Sequence, residues 1–311
     1  MPYRIDPSRP TSEEARRIAG EQLSRAIVAL QEGETSDDLD ASIHSARKRL
    51  KRVRSLLRLL RVGLDPKVYK RDLSACRDVA KLLSAFRDAD VTARTVRSIV
   101  VEAADRLVAE YVDPIILELE SRRDASWGDR GSARPIVAES LASLGDLSRR
   151  VDAWSLTGLE WPDLAKGIDR TYRRGRRAWR QVELAGEDVQ PEAFHEARKR
   201  TKDLRYQLEL LRDAWPPVLS GSAEGAGQLA DLLGEMQDLN VTRRALLSGR
   251  GVEWNPDGAD SLLGEIDRQT TRRRVDAARL GPMVYAERPK AFDARMQRYV
   301  ASLEDAASVE A

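Results

Sequence analysis

Ile43-His44-Ser45-Ala46-Arg47-Lys48-Arg49-Leu50-Lys51-Arg52-Val53-Arg54-Ser55-Leu56-Leu57-Arg58-Leu59-Leu60 is one stretch of this chain. Phe194-His195-Glu196-Ala197-Arg198-Lys199-Arg200-Thr201-Lys202-Asp203-Leu204-Arg205-Tyr206-Gln207-Leu208-Glu209-Leu210-Leu211 is its second copy, 151 residues later. Both carry H-x-A-R-K-R-x-K-x-x-R-x-x-L-x-x-L, and His44 and His195 are the only 2 histidines of the chain. At about 100° per residue, Ala46, Leu50, Val53, Leu57 and Leu60 form an apolar stripe, as do Ala197, Leu204, Leu208 and Leu211. His44, Lys48, Lys51 and Ser55 lie opposite the first stripe, flanked by Arg47, Arg54 and Arg58. His195, Lys199, Lys202 and Tyr206 lie opposite the second, flanked by Arg198 and Arg205. Each copy therefore reads as an amphipathic helix, and the pair reads as an internal duplication.

The polar face is mostly of one sign. Between Ile43 and Val62 there are eight Arg or Lys residues and no acid. Like charges at i,i+4 repel by a few tenths of a kcal/mol per pair, so a solvated helix usually mixes signs. Compensation comes either from acids on neighbouring helices or from a bound anion. The whole chain has 53 Lys and Arg against 51 Asp and Glu, a net charge of +2, so its cations are segregated rather than in excess. Lysine occurs at nine positions, and Lys48, Lys51, Lys199 and Lys202 are four of them.

Working outward, helical signals dominate and no strand alternation stands out. A helix starts at Thr11-Ser12-Glu13-Glu14, Gly33 to Asp40 is a polar turn, and the first histidine helix runs to about Val62. Helices are expected over Lys67 to Phe86 and over Asp90 to Leu119 with a break at Pro114. Ser121 to Pro135 reads as a loop and Pro135 to Trp154 as a helix. The order then repeats in Trp161–Val182, Glu192–Ala214, Gly225–Leu239 and Val241–Leu247, with Pro216-Pro217 closing the second histidine helix. A second repeated segment, Asp88-Ala89-Asp90-Val91-Thr92 and Asp238-Leu239-Asn240-Val241-Thr242, lies 150 residues apart. Asp90 and Asn240 are candidate N-caps, and Asp88 and Asp238 candidate partners of the motif cations. The expected domain plan is a first helical repeat over 1–155 and a second over 156–311, together one module.

Cys76, the only cysteine, excludes an internal disulfide and reads as a packing residue in a reducing compartment. No apolar run spans a membrane and the N-terminus lacks a signal-peptide core, so a cytoplasmic protein is expected. Two distant histidines and one cysteine do not form a metal site, and no G-x-x-x-x-G-K-[ST] phosphate loop occurs. No cofactor and no catalysis are expected. A phosphoryl relay through an exposed imidazole fits poorly with so many adjacent cations. Nucleic acid is the closer competitor as a general polyanion, but only Tyr206 is available on the motif faces for stacking. Trp127, Trp154, Trp161, Trp179, Trp215 and Trp254 are scattered.

The paired H-x-x-R-K-x-x-K-x-x-R helices and the D-x-N/D-V-T segments resemble the CHAD family, the conserved histidine α-helical domain, over about Thr11 to Ala301. The resemblance implies an all-α fold of two pseudo-symmetric four-helix-bundle-like repeats packed around a basic groove. It also implies binding of inorganic polyphosphate and association with polyphosphate granules, with polyphosphate-metabolising enzymes as possible partners. Carried over by position, the anion-contacting set is His44, Arg47, Lys48, Lys51 and Arg54 with His195, Arg198, Lys199, Lys202 and Arg205; Arg58 of the first motif extends it. Glu196, Asp203 and Glu209 make the second face less cationic than the first. The stripe Arg173, Arg176, Arg177 and Arg180 is expected to restore that charge, in an asymmetric groove. Some relatives carry a triphosphate-tunnel hydrolase domain marked by alternating Glu and Lys. No such segment occurs in these 311 residues, and that activity is not expected.

Overall fold

The computed structural model describes residues 3–35, 39–84, 87–127, 130–186, 191–249 and 254–309. Among them are eleven α-helices and no strand: α1 (Thr11–Thr35), α2 (Leu39–Leu59), α3 (Pro66–Leu82), α4 (Arg87–Glu102), α5 (Ala109–Trp127), α6 (Arg130–Asp152), α7 (Trp161–Ala185), α8 (Pro191–Leu210), α9 (Pro216–Gly249), α10 (Pro256–Val284) and α11 (Pro289–Val309). No described helix is long and apolar enough to cross a membrane. The motif stripes are the buried faces of α2 and α8: Ala46, Leu50, Val53, Leu57, Leu60, Ala197, Leu204, Leu208 and Leu211 are all buried.

The duplication is visible in the element order. Helices α1 and α7 precede the motif helices, and α3 with α4 together occupy the place of the single helix α9. Helix α9 runs unbroken for 34 residues. Its N-terminal half buries Leu219, Leu229 and Leu233 in a large core shared by α1, α2, α3, α6, α7, α8 and α11. Its C-terminal half buries Leu239 and Leu246 in a smaller core with α4, α5 and α10. That smaller core joins Val96, Ile99, Val112 and Ile115 of the first half to Leu262 and Ile266 of the second. The halves therefore do not keep a core each, and the repeats interlock.

Several sequence expectations give way to packing. Ser121 to Pro135 is largely helical, because α5 continues to Trp127 and α6 starts at Arg130, with Ala133 and Val137 buried in the large core. Pro114 and Pro135 sit inside α5 and α6 near their starts; each costs an early i−4 hydrogen bond without ending its helix. The interruption falls instead at residues 103–108. Pro216-Pro217 opens α9, where a missing N–H costs nothing, and α8 stops at Leu210 before a 3₁₀ turn over Arg212–Ala214. Neither Asp90 nor Asn240 caps a helix: the first lies within α4 and pairs with Arg94 at 2.9 Å, and the second lies within α9. The expected turn at 33–40 is shorter, since residues 33–35 close α1 and 39–40 open α2; residues 36–38, Phe86 at the expected end of the third helix, and the side chain of Asp88 lie outside the described residues.

Close helix approach depends on glycine at two joints. A Cβ at Gly167 of α7 would fall on the Leu59 carbonyl oxygen of α2, and one at Gly258 of α10 on the Tyr111 carbonyl oxygen of α5. Gly20, inside α1, has nothing near its missing Cβ. We expect Gly167→Ala to lower stability by about 1–3 kcal/mol through overpacking. Gly20→Ala should raise it by roughly 0.5–1 kcal/mol through helix propensity. Thermal unfolding of the two variants against the parent chain checks both signs.

Candidate functional site: a basic groove between the two motif helices

Helices α2 and α8 pass each other in opposite directions, and they cross where their polar faces meet. Ser55 and Tyr206 hold the same place in the two motif copies, and both are buried at the crossing rather than solvated. The Ser55 hydroxyl donates to the Asp203 carbonyl at 2.9 Å, and the Gln207 amide donates to the Ser55 carbonyl at 3.0 Å. On one side Arg58 donates to the Asp203 carboxylate at 2.8 Å; on the other Arg52 pairs with Glu209 at 3.6 Å. Asp203 is the second-copy counterpart of Arg52, and Glu209 that of Arg58. The two ion pairs are thus related by the pseudo-two-fold with their charges exchanged. An identical duplicate would set arginine against arginine at both places. The acids that dilute the second motif are what let the two helices approach.

On one side of the crossing lies a groove of about 380 Å³. Lys51, Arg54 and Arg58 of α2 face His195, Arg198, Lys199 and Lys202 of α8 across it. Arg77 of α3 and Arg200 of α8 add to it, and Asp203 and Tyr206 complete the lining. Eight permanent cations and one imidazole thus share the groove with one carboxylate. Seven of the residues singled out in the sequence meet here, drawn from both repeats.

The other predicted residues are placed elsewhere. His44 and Lys48 are exposed nearer the start of α2 and do not line this groove. Arg47 donates to the Ala80 carbonyl of α3 at 3.0 Å. Arg205 pairs with Glu209 at 2.8 Å and Asp231 at 3.3 Å and lies against Gly227 of α9. Arg198, which does line the groove, lies one α9 heptad away, where a Cβ at Gly234 would come within 3.1 Å of its guanidinium. The α7 stripe turns away from the groove: Arg173 pairs with Asp169 at 2.6 Å, Arg176 donates to the Tyr285 carbonyl at 3.2 Å, and Arg177 and Arg180 are exposed. Arg77 and Arg200 are the lining cations that sequence reading passed over. Arg200 stands inside the shared H-x-A-R-K-R core, so its signal was present; Arg77 reaches the groove only through the fold of α3 beside α2.

Like charges and burial both act on the groove's titratable groups. Burial and the neighbouring Arg58 hold the Arg54 guanidinium below its ordinary pKa, and its Nε is buried without a hydrogen-bond partner. Burial, then Lys199 and Arg198, hold the His195 imidazole below its usual value. Burial pushes the Asp203 carboxyl up, against the pull of Arg58. Glu196 is committed to Lys199 at 2.7 Å and Arg200 at 2.6 Å. Neighbouring acids therefore cancel part of the motif charge.

The second repeated segment also meets its copy. Val91 of α4 and Asp238 and Leu239 of α9 line a separate cleft of about 390 Å³, in which Arg273 bridges Glu235 at 2.7 Å and Glu102 at 3.6 Å. The segment joins the halves of the chain at the smaller core, at a distance in sequence from the groove.

Comparison with known proteins gives this architecture its place. The "Uncharacterized protein MT2285" and the "Uncharacterized protein Rv2226" of two Mycobacterium tuberculosis strains are each 27% identical over 262 residues, 81% of this chain. The match covers 48% of each of those proteins, so the chain spans about half the length of these curated relatives. Two solved structures share the fold. The "Crystal structure of the CHAD domain from the plant Ricinus communis" matches with a TM-score of 0.56 and 20% identity over 92% of this chain and 95% of that one. "PptA from Streptomyces chartreusis" matches with a TM-score of 0.60 and 14% identity over 90% and 100%. The family model described as "CHAD domain" matches residues 18–247. With both motif helices and the groove between them inside that span, the chain belongs to the CHAD domain family.

Proposed function

We propose that this chain binds inorganic polyphosphate, without catalysis, along the groove between α2 and α8. The observation that carries the reading is the convergence of both motif copies on one surface: Lys51, Arg54 and Arg58 from one repeat, His195, Arg198, Lys199 and Lys202 from the other. The CHAD family is one associated with polyphosphate binding, and the charge pattern suits that ligand. Polyphosphate is a flexible, dense polyanion with no side group to read. A binder needs cations along a path, forked arginines for phosphate oxygens and lysines as compact charges. A nucleic acid would also want exposed rings. Tyr206, the aromatic residue of the groove, is instead buried, with Arg52 over its ring at 5.9 Å. Attachment to polyphosphate granules or scaffolding of polyphosphate-metabolising enzymes in the cytoplasm follows as the role of such a binder.

If eight cations neutralise eight phosphate charges, the log–log dependence of affinity on salt has a slope of about −5 to −6 by the single-strand coefficient. Lys51→Ala/Lys199→Ala/Lys202→Ala should weaken binding and flatten that slope by about 2. Arg173→Ala/Arg177→Ala/Arg180→Ala, outside the groove lining, should leave it nearly unchanged. Titrations of long-chain polyphosphate at several salt concentrations, with single-stranded RNA as competitor, measure all of this. Equal behaviour of the two triple variants would place the site elsewhere, and equal competition by RNA would make the chain a general polyanion binder.

A pH dependence follows from His195. In the free protein its pKa is depressed; bound phosphate raises it, so binding takes up a proton. Affinity should therefore rise as pH falls from about 7.5 toward about 6 and level off at higher pH, where the imidazole is neutral in both states. Calorimetry in buffers of different ionisation enthalpy reads the proton directly, and His195→Gln should abolish the uptake.

A further inference from the structure

At the Arg58 and Arg200 end, the groove adjoins a second, much smaller niche. It is lined by Arg58, Arg61, Arg170, Arg174 and Arg200 together with Tyr69, Thr171 and the carboxylate of Asp203. Three carboxylates stand near these five guanidinium groups, and each is committed to a different arginine. Asp203 takes Arg58 at 2.8 Å, Glu196 takes Arg200 at 2.6 Å, and Asp169 takes Arg173 at 2.6 Å. Arg61, Arg170 and Arg174 have no ion pair among the described residues. Arg61 stacks over Tyr69 at 5.4 Å, and the Arg170 Nη1 is buried without a hydrogen-bond partner. Burial and the like charges of Arg61 and Arg174 press the Arg170 pKa down. One oxyanion relieves both the unmade buried N–H and the repulsion among the three cations, whereas a water satisfies the N–H and leaves the charges as they are.

Size selects the occupant. The niche measures about 10 Å³, room for about one water-sized group, whereas the groove beside it measures about 380 Å³. A run of chain does not fit, but one phosphate directing an oxygen inward does. A chain end differs from an interior unit in carrying an extra acidic oxygen. We propose that this niche is a single-phosphate site, continuous with the groove, that takes free orthophosphate or the end group of a linear polyphosphate lying there. The end-group arm rests on the polyphosphate reading above; the orthophosphate arm does not.

The test compares linear tripolyphosphate, cyclic trimetaphosphate and orthophosphate on the parent chain and on Arg170→Gln/Arg174→Gln. The expected result is a preference for the linear form that falls about tenfold in the variant, the worth of one charge-assisted hydrogen bond, while cyclic binding is kept. Orthophosphate should shift the Arg170 and Arg174 side-chain NMR signals of the parent chain. Arg61→Gln, at an exposed position, gives the same comparison should the double variant fold poorly. An unchanged linear-to-cyclic ratio together with no orthophosphate response overturns the niche. Equal loss of linear and cyclic binding in a folded variant overturns it too, by making these arginines part of the groove. An orthophosphate response without binding of any chain keeps the niche and sinks the groove reading instead.

Discussion

Two helices bearing the same row of cations cross in this protein, and everything about the site follows from how that crossing is made tolerable. Two like charges 4 Å apart cost about 4 kcal/mol at an effective dielectric of 20. At the crossing, Arg58 meets Asp203 and Arg52 meets Glu209, while Ser55 and Gln207 satisfy the backbone between them. The buried Arg58–Asp203 pair adds little net stability after desolvation. Its effect is to fix where α2 and α8 touch, and so where their remaining cations face each other.

That arrangement concentrates charge that the composition hides. Acids nearly equal bases over the chain, yet they are spent at the crossing, on α9 beside Arg205 and on Glu196. Arg205 and Arg198 are drawn against the glycines of α9 and hold that helix to α8. Motif positions thus divide into those that face the groove, such as Lys51 and Lys202, and those whose guanidinium groups serve packing, such as Arg205, while Arg198 does both. The continuity of the groove with the arginine niche beside Tyr69 extends the same logic from α8 to α7.

The sequence by itself determined the all-α class, the duplication and the buried stripes, because each depends on local periodicity repeated in the chain. It also named seven of the residues that line the groove, because they lie on the face of each helix opposite an apolar stripe. Helix ends were less legible. Pro216-Pro217 and Pro114 look like stops, but a proline near a helix start removes little, and burial of Ala133 and Val137 outweighs weak loop signals near them.

Only the tertiary structure decided that Ser55 and Tyr206 are interior, that the α7 stripe from Arg173 to Arg180 faces away, and that Arg77, Arg170 and Arg174 join the basic surface. It also decided that the halves interlock through a shared core instead of folding side by side. The reason is the same in each case. A helical pattern fixes which side of a helix is polar, but a polar side has several neighbours. Which of them it meets is set by helix crossing and burial far away in the chain.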